Sequence, residues 1–570
     1  MRNLIAAAQG KVPCDLVLKN GKYVNVFSGQ VCTGDVAVSG GYVVGMGEDY
    51  EGAKIIDLNG AVVLPGYIDG HMHVESTQLT PGELAKMVVP RGTTTLIADP
   101  HEIANVCGMK GIEFLAKNAE SLPMDVKFML PSCVPATPFE DSGAILDGDA
   151  VEQNIENAYI HGLGEFMNYP GVTGGDGDVW KKLDAARTRG KVIDGHAPNT
   201  YGKMLNSYLL GGISTDHECV SAEEAADKVS RGLYVHLREG SATRNVKQNM
   251  KAVTASNMRR FILATDDRHA SDLRNIGHID NNLRILVENG MDPVWAVTMA
   301  TLNTAECYGL KGKGAIAPGY IADLVVVKDL TSFEAQYVFK DGKLVAENGK
   351  PLFETKTIIT DGVLNTMHVA PVSQKDFALD VKSGKAKVIR LLPANVVTER
   401  VDREVVCKDG NVVLEGTDLL KLAVIERHKA TGKIGLGLIE GYGLQGGAIG
   451  LTVAHDSHNL IVLGDNDRDM ALVVSELTRI GGGMAVVKDG KVTGSLPLEI
   501  AGLITAVDVD TFETRLAELI AAAYEMGVKR DLQPFMSLSF LSLVVIPELK
   551  MTCRGLFDVG TFSFTGIDAE

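Results

Sequence analysis

His71 and His73 stand one residue apart at the end of the run Leu64-Pro65-Gly66-Tyr67-Ile68-Asp69-Gly70-His71-Met72-His73. If Tyr67, Ile68 and Asp69 begin a short strand, side chains two positions apart point to the same side. Two imidazoles then converge on one point, which is what a divalent cation asks of its first two ligands. A bare His-x-His is common, and two surface histidines are the plain alternative. The rest of the chain adds matching groups. Glu165 closes Gly162-Leu163-Gly164-Glu165, and His196 closes Asp194-Gly195-His196. His217 lies in Asp216-His217-Glu218, and Asp266 in Thr265-Asp266-Asp267. Four imidazoles and two carboxylates form a donor set suited to two divalent ions, with either Asp266 or Asp267 supplying the last carboxylate.

These residues need elements that bring them together. Strand-like runs recur at 67–71, 94–98, 126–131, 159–165, 191–196, 212–217, 233–238 and 261–266, with helix-sized gaps between them. Ser221 followed by Glu224 reads as a capping box opening one of the intervening helices. Asp292-Pro293 opens another, with proline at its first position. Eight strand–helix units predict an α/β chain with a (β/α)8 TIM-like barrel, in which chemistry collects at the C-terminal ends of the strands. The donor residues fall at the ends of strands one, four, five, six and eight. An open doubly wound sheet is the rival, but no Gly-x-Gly-x-x-Gly follows a strand.

Strand-rich stretches with glycine turns flank this region on both sides, at 14–64 and after Ala322. The expected layout is a small β-sandwich from 1–65 and 311–365, a barrel over 66–310, a linker at 366–386 and a C-terminal α+β domain over 387–570. Two separate small β-units are the alternative to the sandwich. In the last domain, 414–428 and 511–526 read as helices, the second amphipathic. The glycine-rich run from Gly441 to Gly447 lacks a following Gly-Lys-Ser/Thr and is not a phosphate loop. His455-Asp456-Ser457-His458-Asn459 either completes the barrel site from above, holds another metal, or is a polar turn. His161 and His236 are expected in barrel packing, and His278 at a helix entry or lid.

Composition narrows the classes of function. The 570-residue chain is 45% hydrophobic and 22% charged, with a formal net charge of −17. That argues against a nucleic-acid partner, which needs a basic face. Eight scattered cysteines without Cys-x-x-Cys predict buried thiols in a reducing compartment. The first residues carry too short an apolar run for a secretory signal. The apolar stretch 535–546 is too short to span a bilayer and reads as buried core. The expectation is a cytoplasmic, membrane-free enzyme, assembled as a dimer or tetramer.

The stretch Leu64–His73 resembles the opening motif of the amidohydrolase superfamily. The run from Gly314 to Val325 is similar to that superfamily's return into its β-sandwich. Within it, the chain resembles bacterial adenine deaminases over essentially its whole length. Ala98-Asp99-Pro100-His101-Glu102, Glu165-Phe166-Met167-Asn168, Asp194-Gly195-His196-Ala197-Pro198, Thr215-Asp216-His217-Glu218, Leu237-Arg238-Glu239-Gly240-Ser241 and Thr265-Asp266-Asp267-Arg268 carry this likeness. The resemblance implies hydrolysis of adenine to hypoxanthine and ammonia. It implies His71, His73 and Asp266 on one metal, His196 and His217 on the other, and Glu165 between them. Manganese or iron is favoured and zinc is suited. A metal acidifies water from a pKa of about 15.7 toward 7, and Asp266 would carry the proton to the departing amine. Glu239 is the expected proton partner of the ring, with Arg238, Ser241 and Glu102 as substrate contacts and His101 beside them. Many binuclear relatives bridge their metals with a carboxylated lysine; here strand four ends in Glu165, which counts against a cyclic-amide hydrolase. A cyclic amide or another aminated heterocycle remains the alternative substrate. A scaffold that has lost its ligands is the non-catalytic alternative, and the intact set of six argues against it.

Overall fold

The computed structural model describes residues 2–393 and 395–569. Eight parallel strands carry the central region: β1 (Tyr67–Met72), β2 (Thr93–Ala98), β3 (Asp125–Leu130), β4 (Ile160–Phe166), β5 (Val192–Gly195), β6 (Thr215–Asp216), β7 (Tyr234–Arg238) and β8 (Phe261–Ala264). The first five form one sheet and the last three another. Backbone contacts cross both junctions. Asp266 N–H donates to His71 O at 2.8 Å, beyond the end of β8, and Ser214 N–H donates to Ile193 O at 3.0 Å. The parallel sheet is thereby curled. Strands β1, β2 and β8 are buried at every residue, and β8 reads as a continuous rather than alternating apolar run.

Local signals explain the helices between strands. Ser221 accepts from Glu224 N–H and caps Ala222–Ser230. The reciprocal half of the expected capping box is displaced: Glu224 accepts from Val220 N–H, one residue earlier, and its other oxygen takes Lys228. Asp292 caps the helix Pro293–Met299.

The two flanks meet in one seven-stranded sheet, where Val62–Pro65 pairs antiparallel with Leu324–Val327. This register delivers the chain from Pro65 directly into β1, setting where His71 and His73 emerge. A four-stranded sheet from residues 14–57 packs beside it.

The C-terminal region holds an eight-stranded sheet with the helix Asp467–Arg479 against it. The expected helix at 414–428 is instead a strand, Leu419–Ile425, buried throughout and flanked by Ile434–Glu440 and Leu460–Gly464. A run of Leu-Leu-Lys-Leu-Ala-Val-Ile has no periodicity to separate a buried strand from a buried helix, and sheet pairing decides it. The helix Val509–Glu525 forms as expected. Among the described residues no helix is long and apolar enough to cross a membrane.

Candidate active site

The rim above β1 is built around Asp69, which is fully buried. Its carboxylate accepts from Thr265 N–H and Oγ1, and His278 Nε2 lies 2.9 Å away. The end of β1 is thus tied to the segment that carries Asp266. On β4, Glu165 N–H donates to Asp99 Oδ2 at 2.8 Å. His196 N–H, past the end of β5, donates to the hydroxyl of Tyr208 at 3.0 Å.

These supports bring six side chains together. His71 Nε2 and His73 Nε2 are 3.2 Å apart. Glu165 divides its oxygens between two groups: Oε1 lies 3.3 Å from His73 Nε2 and 3.7 Å from His71 Nε2. Oε2 lies 2.6 Å from His196 Nδ1 and 3.1 Å from His217 Nε2. Asp266 Oδ1 lies 3.0 Å from His73 Nε2. His73 Nδ1 donates to Asp99 O at 2.8 Å, which leaves its Nε2 lone pair directed at the cluster.

The donor set fits divalent ions. Ligand bonds of about 2.0–2.1 Å place neighbouring ligand atoms roughly 3.0–3.4 Å apart around one ion. The two buried ring nitrogens of His71 and His73 fall in that range. Burial and the nearby imidazoles of His217 and His73 push His71 well below its usual pKa. It is therefore neutral, the form that ligates. At His73, His196 and His217 the facing carboxylates overcome burial and raise the pKa instead, so these rings ligate on giving up that proton. Burial works against the charge of Glu165, but His217, His196 and His73 outweigh it and hold the carboxyl ionised.

Beyond the six, Arg238 donates to both Asp266 and Glu218. Glu218 Oε1 lies 3.8 Å from His217 Nε2 and 3.9 Å from His196 Nδ1. This carboxylate had no assigned role in the sequence reading, although it directly follows His217; alternation along the chain would have sent it to the opposite side. The strand β6 ends at Asp216, so that alternation no longer applies.

Glu239 sits beside the end of β8, its N–H donating to Ala264 O at 3.1 Å. Its carboxyl is raised by burial, opposed by Arg244, Arg268 and Lys247, with Val246 N–H among its partners. Ser241 donates to Asp272 Oδ2 at 2.7 Å and accepts from His269 N–H. Asp267 accepts from the hydroxyl of Ser76, leaving Asp266 as the carboxylate in the cluster. Glu102 meets two residues of the C-terminal region: its Oε1 is 2.5 Å from His455 Nδ1, and its Oε2 contacts His458 Nε2. His101 stands between, with Nδ1 3.4 Å from Glu165 and Nε2 3.4 Å from Glu102. His236 is buried under the rings of His71 and His217, and burial lowers it to about 3. His278 lies 2.8 Å from Thr93 Oγ1, and His161 donates to Tyr308 O at 2.7 Å.

Comparison with known proteins identifies the family. Residues 62–345 match the amidohydrolase family, and residues 395–563 match the adenine deaminase C-terminal domain. A protein named adenine deaminase from Nitratidesulfovibrio vulgaris strain DP4 is 47% identical over 568 residues, covering 100% of this chain and 99% of the relative. One named adenine deaminase 2 from Carboxydothermus hydrogenoformans is 48% identical, covering 99% and 98%. One named adenine deaminase from Clostridium acetobutylicum is 45% identical, covering 98% and 99%. Likeness of this extent, through both the strand-rich centre and the C-terminal sheet, means that the chain belongs to the adenine deaminase family of amidohydrolases.

Proposed function

We propose that the chain hydrolyses adenine to hypoxanthine and ammonia at a centre of two divalent ions. The division of the Glu165 oxygens between His71/His73 and His196/His217 carries this reading. His71, His73 and Asp266 would hold one ion, His196 and His217 the other, and Glu165 would join them. Nitrogen and oxygen donors suit manganese or iron, with zinc also accommodated. When bound, the ions supply an acidified water at neutral pH.

The chain's own groups handle protons and position the base. Asp266 offers Oδ1 to the reacting side while Arg238 holds Oδ2, so the carboxylate is fixed in place and kept ionised. It accepts a proton from the attacking water and delivers it to the departing amine. Glu218, a fifth exposed at its side chain, faces the more open side and is the better placed partner for a purine ring nitrogen. Its pair with Arg238 couples the two carboxylates. Glu239 would act from the edge of this arrangement, through Arg268 and the turn at Gly240.

The fold reading belongs with the function. The two parallel sheets are taken as the eight strands of one (β/α)8 barrel, with the site on its C-terminal rim, a β-sandwich from 1–65 and 311–365, and a separate unit beyond 386. A cytoplasmic homo-oligomer is the accompanying expectation. Metal-reconstituted protein assayed with adenine, adenosine, a cyclic imide and dihydroorotate tests the activity. Ammonia release and a purine absorbance change with adenine are expected. Turnover of a cyclic amide with adenine inert would overturn the purine assignment.

A further inference from the structure

A cavity of about 270 Å³ lies between the barrel rim and the C-terminal region. Phe512, Leu516 and Ile520 of the helix Val509–Glu525 form one wall, with Phe535 and Met536 beside them. A space of this size with an apolar wall can hold a small heterocycle. Polar groups meet it at its edges. Gln78 lines the cavity; its Oε1 has no partner among the described residues and almost no accessible surface, so it meets the cavity only when the amide is turned over. Gln533 uses its Oε1 to accept from Met536 N–H at 2.5 Å, which leaves its amide N–H groups as donors.

His455 is the third polar group. Its Nδ1 donates to Glu102 at 2.5 Å, and its ring stacks on Phe540 at 4.5 Å. The donation fixes the tautomer and leaves Nε2 as the atom that can meet a ligand in the cavity His455 lines. The grouping of Glu102, His455 and His458 also has the spacing of a cation site. The hydrogen bonds decide against that use. Ala454 N–H donates to His458 Nδ1 at 3.0 Å, so the proton of His458 sits on Nε2 and is given to Glu102. Glu102 is therefore a clamp that two imidazoles orient and that itself orients His455.

The cavity adjoins the cluster through two contacts. Ser76 lines it and donates to Asp267, the neighbour of Asp266. Glu102 joins His455 to His101, which reaches Glu165. Arg274, which lines the cavity, pairs with Glu513 of the helix wall and with Asp510 outside it.

We propose that this inter-domain cavity is a purine-binding vestibule, in which Gln78, Gln533 and His455 read the edge of the base beside the reacting centre. The assignment of a purine rests on the deaminase reading; the site rests on the orphaned acceptor, the oriented imidazole and the apolar walls. With its amide turned over, Gln78 accepts a ring N–H through its carbonyl oxygen, Gln533 donates to a ring nitrogen or oxo group, and the aromatic and aliphatic walls cover the faces. The C-terminal region thus supplies specificity rather than only a cover.

Calorimetric titration of hypoxanthine into the full-length, metal-loaded protein tests this without relying on turnover. Wild type is compared with Gln78→Leu, His455→Gln and Ala517→Trp, the last narrowing the cavity from an exposed position on its wall. Each variant is expected to retain two metals and to weaken hypoxanthine binding at least tenfold. Affinities within twofold of wild type in all three, or no binding by wild type, would overturn the vestibule. A wild type that binds hypoxanthine through these residues but does not deaminate adenine would overturn the activity and leave the vestibule standing.

Discussion

The guanidinium of Arg238 donates to Oδ2 of Asp266, the oxygen that does not face the imidazoles of His71 and His73. Burial alone would raise the Asp266 carboxyl; Arg238 is the largest influence that lowers it, and the net position is well below the usual carboxylate range. A proton acceptor held this way is ionised at every pH where the protein works. Replacing Arg238 with methionine removes the lowering charge and leaves the burial. The Asp266 pKa must then rise, and the acid limb of kcat/KM must move to higher pH. A pH–rate profile of Arg238→Met is expected to show that displacement, with a loss of about 10²-fold at neutral pH. An unmoved acid limb would detach Arg238 from the proton chemistry.

Glu165 offers one oxygen to each imidazole pair, so its loss should unmake both halves of the centre at once. Glu165→Ala is expected to fall below one metal per chain by elemental analysis and to lose activity in the same preparations. Chelation of wild type and readdition of manganese should restore what the variant cannot recover. An inactive Glu165→Ala that keeps two metals would end the bridging assignment.

Lys228 is fully buried between Asp216 and Glu224, at 2.8 and 2.7 Å, and also donates to Ala197 O. It joins the ends of β5 and β6, where His196 and His217 emerge. Lys228→Met leaves two buried carboxylates without their cation, at a cost of about 3–5 kcal/mol. Urea unfolding should show this as a lowered midpoint. Burial works against the ammonium, but Asp216 and Glu224 raise its pKa above the usual lysine value. Its contribution is therefore fully present below the unfolded value of about 10.4 and fades only as pH climbs toward the folded one. The lysine's own titration adds no pH dependence from pH 6 to 9, while the two uncompensated carboxyls of Lys228→Met rise in pKa, so the gap is expected to narrow toward the acid end of that range.

Much of this site was legible from residue order because parallel strands separated by helices place their ends on one rim. His71, His73, Glu165, His196, His217 and Asp266 are brought together by that regularity. What escaped depends on contacts between distant segments. The pairing of Glu102 with His455 and His458 joins residues more than 350 positions apart. No local spacing announces it. The strand Leu419–Ile425 was misread for a related reason: a run buried on both faces loses the alternation that marks a strand. Glu239 follows Arg238 at the end of β7, its N–H bonded to Ala264 O at the end of β8, and its carboxyl has Arg244, Arg268 and Lys247 as charged neighbours that residue order does not announce.

Glu218 and Glu239 offer competing answers to which carboxylate serves the purine ring. Glu218 shares Arg238 with Asp266 and lies within 4 Å of ring nitrogens of His196 and His217. Glu239 has cationic neighbours of its own in Arg244, Arg268 and Lys247. A group that exchanges a proton with the substrate must reach it, so geometry comes before pKa. Glu218→Gln keeps the size and one acceptor but cannot carry the proton. It is expected to retain two metals and lower kcat by about 10²–10³-fold with KM little changed. Glu239→Gln should retain metals and lose less than about tenfold, chiefly in KM. Steady-state kinetics of the two variants, with metal content measured in each, decides between them; the reverse order of losses would return the ring-proton role to Glu239.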